Sequence, residues 1–187
     1  MNVIIFGPPG AGKGTQANNI VKKFNLYQVS TGDLLREEVK NKTQIGKDIE
    51  NIISKGDFAT DEIVNELIKN IVFDPIKKNK LIFDGYPRSL SQAENLEVLL
   101  SSSNQKIDFI FFLDVKKETI IKRLEKRKIL EKRSDDTIIT ILKRYDTYME
   151  TTKPVLNFYS KKPNFFKING DVKIVDISSK IEQILSV

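Results

Sequence analysis

A chain of 187 residues with 40% apolar and 30% charged side chains has the composition of one soluble globular domain, which excludes a disordered chain. It contains neither cysteine nor histidine, so disulfides are excluded and a structural zinc site would have only carboxylates to draw on. A net charge of +6 points to a polyanionic partner, either nucleic acid or small phosphates.

Asn2-Val3-Ile4-Ile5-Phe6 is a short apolar run rich in β-branched residues and reads as a buried strand. Met1 leads straight into it, so no secretory or transit peptide is expected and a cytoplasmic location is. Gly7-Pro8-Pro9-Gly10-Ala11-Gly12-Lys13-Gly14-Thr15-Gln16 follows, then a helical pattern with apolar residues at Ala17, Ile20, Val21 and Phe24. Strand, glycine-rich loop and helix are the context in which such a loop cradles phosphate. Glycines let main-chain N–H groups point inward, the helix N-terminus adds partial positive charge, and Lys13 supplies a full one. The plain structural alternative, a glycine-rich turn joining strand to helix, does not account for the lysine in register. Position 14 is glycine and the hydroxyl comes one place later at Thr15, so the usual side-chain ligand for Mg²⁺ is missing from its usual place.

Further strands are expected at Tyr27–Ser30, Leu81–Asp84, Phe109–Val115 and Phe165–Ile168, with helical patterns between them. That alternation predicts a parallel sheet covered by helices. The interval between Ser30 and Leu81 is too long for one crossover helix and holds three helical stretches, Gly32–Asn41, Gln44–Ser54 and Thr60–Phe73. The last carries apolar residues at 63, 64, 67, 68, 71 and 72 behind Thr60 as N-cap. These helices are expected to form a small subdomain over the carboxyl ends of the strands, where ligands bind in such sheets. It opens with Ser30-Thr31-Gly32-Asp33-Leu34-Leu35-Arg36. A capping box would explain Ser30 and Asp33 but leaves Arg36 unexplained.

Leu81-Ile82-Phe83-Asp84 runs into Gly85-Tyr86-Pro87-Arg88, with Gln92 four residues further on. A carboxylate closing an apolar strand beside the P-loop strand is where Mg²⁺ and its waters are held in P-loop enzymes, which gives Asp84 that role through water. The alternative is a simple strand-end turn. Phe109–Leu113, the longest aromatic-aliphatic run, is far short of the ~20 residues that span a bilayer, so no membrane partner is expected. Lys122 to Arg144 carries most of the basic excess, which in a generic chain would be a solvated helix pair. Arg123 and Arg127 stand four apart, on one helix face. Ser134 is expected to cap a further helix with Ile138, Ile141, Leu142, Tyr145 and Met149 on its buried side and Arg144 near its middle.

These motifs together resemble those of the adenylate kinases. The P-loop variant G-x-P-G-x-G-K-G-T-Q, S-T-G-D-L-L-R, D-G-[FY]-P-R followed by glutamine, and the series R-x₃-R, R-x-D-D and a later arginine are all in register. The resemblance spans the whole chain. It implies a P-loop NTPase three-layer α/β fold, a five-stranded parallel sheet with helices on both faces. It implies one nucleoside monophosphate kinase domain with a core of residues 1–29, 60–126 and 134–187, an NMP-binding insertion of 30–59 and a short lid of 127–133. The activity implied is reversible, Mg²⁺-dependent transfer from ATP to AMP giving two ADP, and with it a part in adenine-nucleotide balance.

Residue by residue, the resemblance gives ATP to Gly10, Ala11, Gly12, Lys13, Gly14 and Thr15, with Arg123 packed on the adenine and Val172 in the loop closing over the base. It gives the AMP base to Thr31 and Gln92, the AMP phosphate to Arg36 and Arg88, and the lining of that site to Gly85 and the main chain of Asp57, Phe58 and Ala59. A glutamine suits adenine, offering a donor and an acceptor to its amino group and ring nitrogen. Arg127, Arg133 and Arg144 surround the phosphoryl in flight beside Lys13 and Arg88, and Arg133 and Arg144 also reach AMP. Asp57 departs from the lysine or glutamine often found there, and the glycines that often flank short lids are missing. Five residues, 128–132, separate Arg127 from Arg133, which is the short-lid form without zinc. A monomer is expected.

Three other readings compete. A pyrimidine-monophosphate kinase would share the fold and the arginines, but Thr31 and Gln92 speak for AMP. Nucleic-acid binding would need aromatics interleaved with the cations, and none are. A switch GTPase would need N-K-x-D, whereas Asn41-Lys42 is followed by Thr43-Gln44 and Asn79-Lys80 by Leu81-Ile82.

Overall fold

The computed structural model describes residues 1–54, 59–131 and 138–186. Five strands, β1 (Val3–Phe6), β2 (Tyr27–Ser30), β3 (Leu81–Asp84), β4 (Phe109–Asp114) and β5 (Phe165–Asn169), form one sheet in the order β2-β3-β1-β4-β5. Every pairing is parallel. The P-loop NTPase α/β architecture implied by the motifs is therefore the one observed, and the strands fall within a residue of their expected ends.

Parallel sheets are covered on both faces, so their strands are apolar at successive positions. In β1 the alternation divides the strand cleanly. Ile4 and Phe6 enter one core with Phe83 and Ile110, and Val3 and Ile5 enter the other with Ile82 and Phe111. The first core is closed by α4 (Asp61–Val72), α5 (Leu90–Ser102) and α8 (Lys153–Tyr159) through Ile68, Leu96 and Tyr159. The second is closed by α1 (Lys13–Phe24), α6 (Lys117–Glu131) and α9 (Ile174–Leu185) through Ile20, Leu124 and Ile181. Each such side chain contributes ~1.5–3 kcal/mol on full burial, which fixes the strand ends in place.

The chain passes from β1 to β2 on one side and crosses from β3 over β1 to β4 on the other, so the topological switch lies at β1. A crevice opens at the carboxyl ends of the strands at such a point. The P-loop leaves β1 there, and Asp84 at the end of β3 pairs with Ile5 in register.

Between β2 and β3 come α2 (Thr31–Lys40), α3 (Gln44–Ser54) and α4, close to the expected stretches. Ser30 caps α2, its Oγ accepting from the Asp33 N–H at 3.3 Å, while the Asp33 carboxylate pairs with Arg36. Thr60 precedes α4 without a side-chain cap bond, in contrast to its expected role. Beyond α7 (Ile138–Thr147) a π-helical turn, Tyr148–Thr152, leads into α8. The buried stripe here is centred on Ile141 and Tyr148, while Leu142 and Met149 are 40% and 39% exposed. That corrects the expectation that both are buried. The wider π turn carries one more residue per turn, and it joins the stripe to Thr152, Val155 and Tyr159. The Ser134 cap and the Ile138 side chain lie outside the described residues. No helix among the described residues is long and apolar enough to cross a membrane.

Helices α2 and α3 cross at Gly46. A Cβ there would lie 2.0 Å from the Glu38 carbonyl oxygen and 2.8 Å from the Val39 nitrogen, so main chain meets main chain. In a free helix Gly→Ala stabilises by ~0.5–1 kcal/mol. Here the methyl forces the two helices apart, and overpacking of this kind costs ~1–3 kcal/mol. Gly46→Ala is therefore expected to lower the melting temperature, by ~2–4 °C per kcal/mol for a chain of this size. Thermal unfolding of the variant checks the sign, and a raised melting temperature would mean that α2 and α3 part without cost.

Candidate active site

The loop after β1 turns back on itself through Gly10 and Gly12, whose φ values of 80° and 93° suit glycine. At Gly10 the reason is also steric, since a Cβ would lie 2.8 Å from Leu124 Cγ on α6. Gly12 is the N-cap of α1 and carries no side chain to occupy that helix end, where the first N–H groups lack helical partners. Lys13 folds over the loop, its Nζ donating to the carbonyls of Gly7 at 2.8 Å and Pro8 at 3.1 Å. Burial pulls its pKa down to about 8 against the opposing attraction of Asp84, and the nearby charges of Arg88 and Arg127 push it the same way. Asp84 is itself raised by burial, moderated by Lys13 and by the Gln28 amide, which donates to Oδ2 at 3.0 Å. A Cβ at Gly14 would stand 3.4 Å from that same oxygen, so the glycine leaves the carboxylate uncovered.

The opposite wall is built by α2, the loop after β3 and α5. Thr31 is buried, its Oγ1 donating to the Gly85 carbonyl at 3.0 Å. The Arg36 guanidinium lies over Gly32, 3.2 Å from where a Cβ would be. Arg88 Nε donates to the Gly85 carbonyl at 2.6 Å, and burial lowers its pKa to about 10, so it remains a cation at neutral pH. Gln92 accepts at Oε1 from the Arg88 N–H at 2.7 Å and donates from Nε2 to Asp61 Oδ1 at 2.7 Å.

At the third side Arg123 donates to the carbonyls of Ala11 at 3.2 Å and Gly170 at 2.8 Å. Gly170 is pressed against β4, where a Cβ would fall 2.4 Å from Val115 Cγ2. Val172 stands 40% exposed at the rim.

The three sides enclose one cavity of about 1080 Å³. Single small-molecule sites occupy ~300–1,000 Å³, so this one is large enough for two ligands end to end. The expected residues in the described part of the chain line it: the P-loop from Gly10 to Thr15, then Thr31, Arg36, Ala59, Asp84 and Gly85, and then Arg88, Gln92, Arg123, Arg127, Arg144 and Val172. Asp57, Phe58 and Arg133 lie outside the described residues. The wall also includes Gln28, Tyr148 and Thr152, which sequence reasoning passed over. A long polar side chain between Tyr27 and Val29 was the available signal for Gln28. Thr152 donates to the Arg88 carbonyl at 3.3 Å from the π turn, a placement no periodicity announces. Asp61, read only as part of a helix start, holds Gln92.

The adenylate kinase family model matches residues 5–164. The chain belongs to the adenylate kinase family. It is 48% identical to the adenylate kinase of Pelagibacter ubique, with the whole of both chains covered. It is 33% identical to that of Thermosipho africanus over all of this chain and 99% of the relative, and 36% identical to that of Mycoplasma capricolum over 91% and 92%. The Pelagibacter alignment runs over 213 positions against 187 residues here, so that adenylate kinase carries residues which this chain lacks.

Because burial holds the Lys13 pKa down to about 8, kcat/KM for ATP is expected to fall as pH rises through about 8, where loss of the proton removes the P-loop's one side-chain charge. This quantity reports the free enzyme, in which the shift applies. A pH profile of kcat/KM with the acceptor held well below saturation checks it, and a profile flat well past that pH would mean that Lys13 keeps its proton.

Proposed function

We propose that this chain catalyses ATP + AMP ⇌ 2 ADP, with the two nucleotides bound end to end in the one cavity. The observation that carries the reading is the placement of a P-loop lysine and of the Arg36–Arg88–Gln92 wall on opposite sides of a single cavity. The bond from the γ-phosphorus to the bridging oxygen breaks and one to an AMP phosphate oxygen forms, with no covalent enzyme intermediate.

The chain's contribution is position and charge. The P-loop N–H groups and Lys13 hold the ATP phosphates, and Arg36 and Arg88 hold the AMP phosphate in line with them. Arg127 and Arg144 reach the equatorial oxygens that carry the transferred charge, and we assign Arg133 to the same group. A guanidinium fork suits two phosphate oxygens at once. Thr31 and Gln92 read the acceptor base, and Arg123 and Val172 hold the donor base. Residues 30–59 and 127–133 are the segments that close over the nucleotides and shut out water, which would otherwise compete as acceptor. Asp84 fits Mg²⁺: its hard oxygen ligands line the same cavity as Lys13 and Thr15, and Gly14 has no side chain to cover them. When bound, the ion would neutralise charge on the phosphates. Both nucleotide walls come from one chain, which supports a monomer, and the lack of cysteine supports a cytoplasmic setting.

ADP formation with AMP, CMP, UMP and GMP as acceptors tests the reading, and AMP is expected to dominate. A preference for CMP or UMP would move the chain to the pyrimidine-monophosphate kinases. The catalytic role of the arginines has its own test. Arg144→Lys is expected to lower kcat by ~10²-fold, about 3 kcal/mol of transition-state stabilisation. The melting temperature should barely move, because Arg144 is half-exposed and lysine keeps its charge. Turnover close to that of the parent enzyme would remove Arg144 from the catalytic group.

A further inference from the structure

Gln92 is 4% exposed, and both ends of its amide are engaged from inside the protein. Oε1 accepts from the Arg88 N–H, and Nε2 donates to Asp61. A main-chain N–H can only donate and a carboxylate offers only acceptors, so these partners admit one orientation of the amide and not its 180° flip. Asp61 is itself held, since its other oxygen, Oδ2, accepts from Ser89 Oγ at 2.7 Å, and that hydroxyl accepts from the Gln92 N–H at 3.1 Å. The start of α4 and the start of α5 are thereby locked together around this one side chain.

We propose that Asp61 is a positioning residue that fixes which way round Gln92 presents its amide, and so makes the acceptor site select a 6-amino purine over a 6-oxo purine. This rests on the reading that Gln92 faces the acceptor base. An amide has two N–H groups and two lone pairs, so after its internal bonds Gln92 keeps one donor and one acceptor, in fixed order. Adenine offers an amino donor beside a ring-nitrogen acceptor. A 6-oxo purine of nearly the same shape offers the reverse, an acceptor beside a ring N–H. A glutamine free to flip would pair with either. One that is locked pairs with the first and sets like against like with the second, leaving buried polar groups unpaired.

The test uses the whole enzyme and three acceptors: AMP, inosine 5′-monophosphate and purine riboside 5′-monophosphate, which lacks the 6-substituent. For the wild type, kcat/KM should fall in the order AMP, purine riboside monophosphate, inosine monophosphate. An inosine nucleotide at least as good as the unsubstituted one would mean that the amide flips, and would overturn the proposal without recourse to a variant. In Asp61→Asn the new amide can face Gln92 with either end and only the Arg88 N–H still favours one orientation, so the ratio of kcat/KM for AMP over inosine monophosphate should fall by ~5-fold or more, the worth of one hydrogen bond. A purely structural role for Asp61 would lower both acceptors alike and keep the ratio within about twofold, and that result also overturns the proposal. Gln92→Ala separates the two levels. If it leaves kcat/KM for AMP unchanged, the assignment of Gln92 to the acceptor base fails. If AMP suffers there while Asp61→Asn keeps the ratio, only the role of Asp61 fails.

Discussion

Like charges gathered into one cavity repel, and the structure depends on how that repulsion is held. Lys13, Arg88 and Arg123 each rest on main-chain oxygen, and in each case one acceptor is the carbonyl of a glycine: Gly7, Gly85 and Gly170. At all three glycines a Cβ would press on a neighbour at 3.0 Å or less, so a side chain would push the carbonyl away from its cation. Carbonyl dipoles orient a cation without neutralising it, which leaves its charge available to a phosphate. Asp84 is the exception among these contacts, a full counter-charge whose attraction works against the desolvation of Lys13. Removing a buried partner of that kind leaves a charge uncompensated, which is far more costly than losing a surface pair.

The sheet makes this arrangement rigid. Main-chain pairing sets Ile5 beside Asp84 and Ser30 beside Asp84, so the ends of three adjacent strands deliver the P-loop, the carboxylate and the start of α2 to one rim. Their side chains alternate into two cores, and sliding any strand by one residue would exchange its faces. The π turn refines the far wall, where it aims Thr152 at the Arg88 carbonyl and turns Tyr148 to the cavity. Such turns persist at functional sites because the surrounding packing over-determines them.

Much of this was legible in the sequence because it is local. The strands announce themselves as β-branched runs, and the P-loop and D-G-Y-P-R segments join residues whose spacing alone brings them together. The features that escaped notice depend on what lies across the fold. Gly46 reads as a weak point in a helix until Glu38 is seen against it. Gln28 and Asp61 are ordinary polar residues until β3 and α5 set Asp84 and Gln92 beside them. Leu142 and Met149 each stand one residue beyond a stripe that runs through Ile141 and Tyr148, seven apart, and a stripe drawn wide enough to take them in reaches past what the sheet side covers. A spacing rule sees neighbours along an element and is blind to neighbours across one.

The tie between α1 and α9 has a consequence in time. Gln16, one turn past the P-loop lysine, donates to the Ile174 carbonyl and accepts from Ser178, across 158 and 162 residues of chain. Ala17 and Ile20 share their core with Ile177, Ile181 and Leu185. β1, meanwhile, lies between β3 and β4, both made well after it. During synthesis the nucleotide loop therefore exists as sequence long before it exists as a shape, with its strand unpaired and one face of its helix bare. The helix that covers one face of α1 is made 158 residues after the residue it bonds, and that face stays bare until α9 docks.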